Sequence, residues 1–156
     1  MVENQIDHAD VKIHPPILTL LHLIAAWLLN WLIPLPITFP QILKTIGIIM
    51  VLAGLAFAFM AIRQFSAAHT TLDPHGSVKA IVMNGPYRFS RNPIYLGFIC
   101  TLMGLPLALG TYWGIICSPV LILLMNTLVI QHEEAYLENK FKDQYAAYKS
   151  RVRRWV

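Results

Sequence analysis

The chain has 156 residues, of which 56% are hydrophobic and 13% charged, with a mean hydropathy of +0.56. A soluble domain carries about 25% charged residues, so a water-facing surface is excluded, and the apolar residues come in long runs rather than in alternation. The net charge of +4 does not point to nucleic acid, because the basic residues flank apolar runs instead of forming a basic domain.

The polar N-terminal stretch, with Glu3, Asp7 and Asp10, lacks the basic region of a secretory signal, so the apolar run after it is expected to persist as an anchor. That first span covers about 17–33, where Pro34 and Pro36 end it. The second covers about 42–62 and carries no charge after Lys44. Both approach the roughly 20 residues that cross a ~30 Å hydrocarbon layer. His22 and Asn30 fit as helix-packing or interfacial groups.

Residues 63–93 form a polar loop long enough to suggest function. It holds His69, Thr70, Thr71, Asp73, Pro74, His75, Gly76, Lys79, Asn84, Gly85, Pro86, Arg88 and Arg91. Its apolar stretch 78–83 predicts an ordered element against the membrane. Two further spans follow at about 94–109 and 113–130, joined so tightly at Gly110–Tyr112 that they make an antiparallel hairpin. Pro106 and Pro119 are expected to kink them. Cys100 and Cys117 lie inside these spans and read as small packing residues, with no disulfide. From 131 to 150 the chain is charged and helical, with Glu134, Leu137, Glu138, Phe141, Tyr145 and Tyr148 on one face. The fold expected is an all-α integral membrane protein of about four transmembrane helices, with a cytosolic loop and a C-terminal amphipathic helix closing a pocket. Eleven of the 12 Lys and Arg residues fall on the side shared by the termini and the loop, which the positive-inside rule puts in the cytoplasm.

The hairpin makes 92–97 and 132–134 neighbours in space. Glu133 and Glu134 differ by about 100° around a helix, so both cannot point one way. The shared face favours Glu134 as the inward carboxylate, with Glu133 facing solvent or a loop cation such as Arg88 or Arg91. His69, Asp73 and His75 match no tight zinc pattern, so no metal is expected.

The string Arg91-Asn92-Pro93-Ile94-Tyr95-Leu96-Gly97 resembles the Arg-His-Pro-x-Tyr-x-Gly motif of isoprenylcysteine carboxyl methyltransferases, and Val82 to Arg88 looks like their approach to it. Thr70 to His75 is similar to a string in the bacterial branch. The tail, from Glu133-Glu134 through Leu137, Phe141, Tyr145 and Tyr148 to Arg154, resembles their C-terminal signature, and phospholipid methyltransferases share the paired glutamates. The resemblance implies an S-adenosylmethionine-dependent enzyme of a prokaryotic inner membrane, methylating a lipophilic acceptor that enters from the bilayer. It implies a cofactor site of the backbone around Lys79, Ala80, Ile81 and Val82, with Tyr87, the turn Asn92, Pro93, Ile94 and Tyr95, and Glu134, and it implies Glu133 and Glu134 as catalytic groups. It departs from the family at Asn92, where His is common. It departs again at Ile130, where eukaryotic members carry an Arg taken to hold the acceptor's carboxylate, which argues against a prenylcysteine carboxylate. An amine or thiol acceptor would need a base, and Glu133, His132 and His75 are candidates. The other classes that this sequence suits are a sterol-reductase-like protein binding a nicotinamide cofactor and a non-catalytic membrane subunit.

Overall fold

A computed structural model describes residues 7–70, 76 and 78–156. Five helices follow in order: α1 (Pro15–Leu32), α2 (Gln41–Ala67), α3 (Pro93–Ala108), α4 (Trp113–Met125) and α5 (Gln131–Lys149). A 3-10 turn at Gly85–Arg88 precedes α3, and a π-helical stretch at Asn126–Ile130 joins α4 to α5. There is no strand among the described residues.

Prolines fix where helices begin. Pro15 opens α1 and Pro93 opens α3, since the first turn has no use for the missing N–H. α2 runs five residues past the second predicted span, through Arg63 and on to Ala67, so the loop starts later than the charge pattern suggests. Three helices are long and apolar enough to cross a membrane: α1, α2 and α4 with its helical continuation, Trp113–Lys149, which is kinked at Lys142. α3 is apolar throughout but has only 16 residues, about 24 Å at 1.5 Å per residue. The four expected apolar helices are thus all present, three of them long enough to cross a membrane by length and composition and α3 the shorter one.

The surface is inverted relative to a soluble protein. Trp27, Trp31, Ile48, Leu52, Phe59 and Leu123 are all more than half exposed on the flanks of α1, α2 and α4. Such apolar flanks are solvated by lipid tails, and the protein is an integral membrane protein. Lipid gives no hydrophobic drive between helices, so α2 and α3 associate through close backbone approach. Gly47 faces Gly104 and Gly54 faces Gly97; a Cβ at Gly104 would lie 2.7 Å from the Gly47 carbonyl oxygen.

The two ends of the bundle differ. At one, Trp113 Nε1 donates to the Ile33 carbonyl at 3.1 Å, and Phe39 packs on Tyr112 at 4.8 Å between ring centroids. Gly110, with φ at +90°, makes the tight α3–α4 turn there. At the other end the N-terminal segment, the long loop and the C-terminal tail converge. Tyr136 Oη donates to Asp7 at 3.0 Å and accepts the Val78 N–H at 3.2 Å, while the Arg91 N–H donates to the Arg153 carbonyl at 3.0 Å. That end carries the polar chemistry.

Candidate active site

The convergence leaves one well-formed cleft among the described residues, with about 880 Å³ of space when its open mouth is included. Four pieces of chain build it. The extended stretch 78–83 contributes Val78, Ala80, Ile81 and Val82. It is irregular backbone rather than a helix or strand. The 3-10 turn supplies Tyr87, the start of α3 supplies Asn92, Ile94 and Tyr95, and α5 supplies Glu133, Glu134, Tyr145 and Tyr148. Gly85 starts the 3-10 turn with φ at +60°, a conformation strained for any side chain, and it lies against Gln64. Tyr87 then packs edge-on against Phe65 at 5.5 Å, and its carbonyl accepts from Tyr148 Oη at 2.7 Å. Burial pushes the Tyr87 phenol well above its usual range, so it stays protonated.

Of the residues expected to bind a cofactor, Ala80, Ile81, Val82, Tyr87, Asn92, Ile94, Tyr95 and Glu134 line this cleft. Lys79 does not: its side chain is exposed and its N–H donates to Thr70 Oγ1 at 2.9 Å. Pro93 is fully buried beneath the cleft, where it starts α3. His75 lies outside the described residues, as do Thr71, Asp73 and Pro74. His132 lines a different, shallow groove beside Tyr136 and Asn139.

The carboxylates correct the expectation. Glu133 does not face solvent or pair with Arg91. It is turned into the cleft, where Tyr95 Oη donates to its Oε1 at 2.6 Å. Burial lifts its carboxyl from the usual 4.5 to about 7, the Tyr95 hydrogen bond opposes that rise, and the neighbouring Glu134 adds to it. Glu134 is buried and bound by two guanidiniums. Arg154 grips it with both arms, Nε to Oε1 at 3.1 Å and Nη2 to Oε2 at 2.6 Å, and Arg91 Nη2 reaches Oε1 at 3.1 Å. Two adjacent positions can serve one cavity because they straddle it, each taking a different wall. The π-helical stretch just before them widens the helix by a residue, a local change common beside functional sites.

Sequence reasoning missed the central role of Arg91 and Arg154. Arg91 lines the cleft with its side chain 8% exposed, and its Nε and Nη1 are buried without a partner among the described residues. Unpaired buried donors of that kind are costly, at about 1–3 kcal/mol or more each for a charged group. The clue available in the sequence was the charge count: two Arg before the Pro-Tyr turn and three in the tail, against two adjacent glutamates. Asn92, in the place of the expected His, donates from Nδ2 to the Arg154 carbonyl at 3.0 Å, so its amide ties the tail down. Ile130 is fully buried in the bundle core, away from the cleft. No group of three or more His, Cys, Asp or Glu among the described residues could hold a metal ion.

The model of the phospholipid methyltransferase family matches residues 42–144, which spans α2 to most of α5 and includes the cleft's lining from Phe65 to Leu137 but not Tyr145 and Tyr148. An uncharacterized protein of Haemophilus influenzae is 40% identical over 63 residues, covering 40% of this chain and all of that protein. The protein-S-isoprenylcysteine O-methyltransferase of Schizosaccharomyces pombe is 28% identical over 87 residues, or 56% of this chain and 37% of the yeast protein. The chain thus spans little more than a third of that relative. No solved structure matches it significantly.

Proposed function

Because this chain belongs to the phospholipid methyltransferase family, we propose that it transfers a methyl group from S-adenosylmethionine to a lipophilic acceptor at the cytosolic face of a membrane. The observation that carries this reading is the cleft itself: an aromatic and charged cavity at one end of a lipid-solvated bundle. Its chemistry fits the methyl donor. Buried Arg91 N–H groups without a partner suit the donor's carboxylate, and Glu133 suits its cationic groups. Tyr87, Tyr95, Tyr145 and Tyr148 offer faces for a purine and for a sulfonium. The cytosolic assignment rests on the positive-inside count, since the basic loop and tail are on the cleft's side of the bundle.

The donor, once bound, supplies a carbon already activated for displacement by its sulfonium. What the chain does is hold the acceptor in line with that carbon and exclude water, which can contribute about 7–11 kcal/mol. Glu133 is the group placed to take a proton from an amine or thiol acceptor. A carboxyl with its midpoint near 7 is ionised often enough to accept the proton and basic enough to keep it. Tyr95 orients that carboxylate through its hydrogen bond. The acceptor's acyl or prenyl chain stays in the bilayer while its head group enters the cleft beside Ile94 and Phe65.

Purified protein incubated with a lipid extract and methyl-labelled S-adenosylmethionine tests the reading. A labelled lipid, lost in Glu133→Gln and Tyr95→Phe, is the expected result. Calorimetric titration that detects a reduced nicotinamide cofactor and not S-adenosylmethionine would overturn it in favour of a reductase.

A further inference from the structure

The residues that hold Glu134 are unequal, and the inequality assigns a task to the C-terminal tail. Arg154 occupies both oxygens of the carboxylate with two donors, whereas Arg91 gives it a single Nη2. Arg91 and Glu134 are both nearly sealed from solvent, with side chains 8% and 9% exposed, and Arg154 covers them with its own side chain 32% exposed. The tail is fixed over this spot by three hydrogen bonds from the turn before α3. The Arg91 N–H donates to the Arg153 carbonyl at 3.0 Å, and Ser90 Oγ and Asn92 Nδ2 donate to the Arg154 carbonyl at 3.2 and 3.0 Å. The same turn that presents Arg91 therefore also positions the residue that competes with it for Glu134.

A guanidinium next to a lone carboxylate settles into a bidentate pair, since two parallel N–H···O bonds beat one. With Arg154 gone, Arg91 would close a two-donor edge on Glu134 and tie up Nη2 together with one of the donors that are now unpaired. With Arg154 in place, the cluster holds two positive charges and one negative. The surplus charge and the unsatisfied Nε and Nη1 sit on Arg91, the member that lines the cleft. We infer that Arg154 is a positioning residue: by saturating Glu134 it keeps the Arg91 fork free to bind the carboxylate of the methyl donor. The inference deepens the methyltransferase reading and rests on it, because the ligand anion it invokes is the donor's.

Binding alone can test this, with no acceptor and no turnover, by comparing S-adenosylmethionine with its decarboxylated form, which keeps the nucleoside, sulfonium and ammonium. Wild-type protein in detergent or nanodiscs should bind the carboxylate-bearing donor at least about tenfold more tightly, the size of one charge-assisted hydrogen bond. Arg154→Gln and Arg154→Ala should each remove that preference while leaving affinity for the decarboxylated form within about twofold. Arg91→Ala should do the same, and adding Arg154→Ala to it should change nothing further, because the effect passes through Arg91. Loss of both ligands in equal measure would make Arg154 a structural residue and overturn the inference, as would a preference that survives both Arg154 variants. A wild type that binds both forms equally overturns it as well, while leaving the methyl-donor reading intact. A wild type that binds neither form removes that reading and the inference together.

Discussion

Replacing Tyr95 with Phe deletes one hydroxyl from the cleft and leaves the ring that packs near Phe98 in place. The hydroxyl donates to Glu133 at 2.6 Å, and it is the contact that restrains the rise of the Glu133 carboxyl, now at about 7. A hydrogen bond to a charged group contributes about 1.5–3 kcal/mol, and about 1.4 kcal/mol corresponds to one pH unit. Tyr95→Phe should therefore move the Glu133 midpoint upward by about one to two units, with the lower figure expected if water fills the gap. The direction follows from which form the phenol stabilises: it donates to the ionised carboxylate, so its loss favours the protonated acid. Infrared titration of the protein in nanodiscs reads the protonated carboxyl directly, and the band lost in Glu133→Gln identifies the residue. A Tyr95→Phe midpoint unchanged or lower than wild type would refute the reasoning. So would a wild-type midpoint near 4.5, which would mean that Glu133 is fully hydrated.

Because the folded protein holds the Glu133 proton more tightly than the unfolded chain does, stability should fall as pH rises from about 4.5 to 7 and level off above. The effect is at most about 3 kcal/mol. Glu133→Gln should flatten that window, and denaturant titrations at pH 5 and pH 8 that differ as much in the variant as in wild type would contradict it. Glu134→Ala leaves Arg91 and Arg154 facing each other without their shared carboxylate; it should cost about 3 kcal/mol or more in unfolding titrations. Gly104→Ala places a Cβ 2.7 Å from the Gly47 carbonyl oxygen, so α2 and α3 must separate. A loss of about 1–3 kcal/mol is expected, and unaltered unfolding in detergent would show that the helices are not so close.

Much of the fold was legible in the chain because a bilayer constrains sequence harder than water does. Long apolar runs have one physical outlet, prolines mark helix starts, and a three-residue link forces a hairpin. The fold-back of α5 onto the Pro-Tyr turn followed from that connectivity, and so did the neighbourhood of 92–97 and 132–134. The extent of α2 was less visible, since the first charged residue after an apolar run suggests an end that Arg63 does not make. Charge marks the water interface, whereas backbone hydrogen bonds decide where a helix stops.

The division of labour between Glu133 and Glu134 belonged to the tertiary structure. Sequence periodicity fixed the angle between them but not its zero, which depends on the π-helical stretch Asn126–Ile130 that precedes them. The partners lie far off in the chain: Tyr95 is 38 residues before Glu133, and Arg154 is 20 after Glu134. Local pattern can announce that paired acids and flanking arginines are present. Only packing decides which carboxylate is neutralised and which stays reactive, because that depends on which charges share a buried volume.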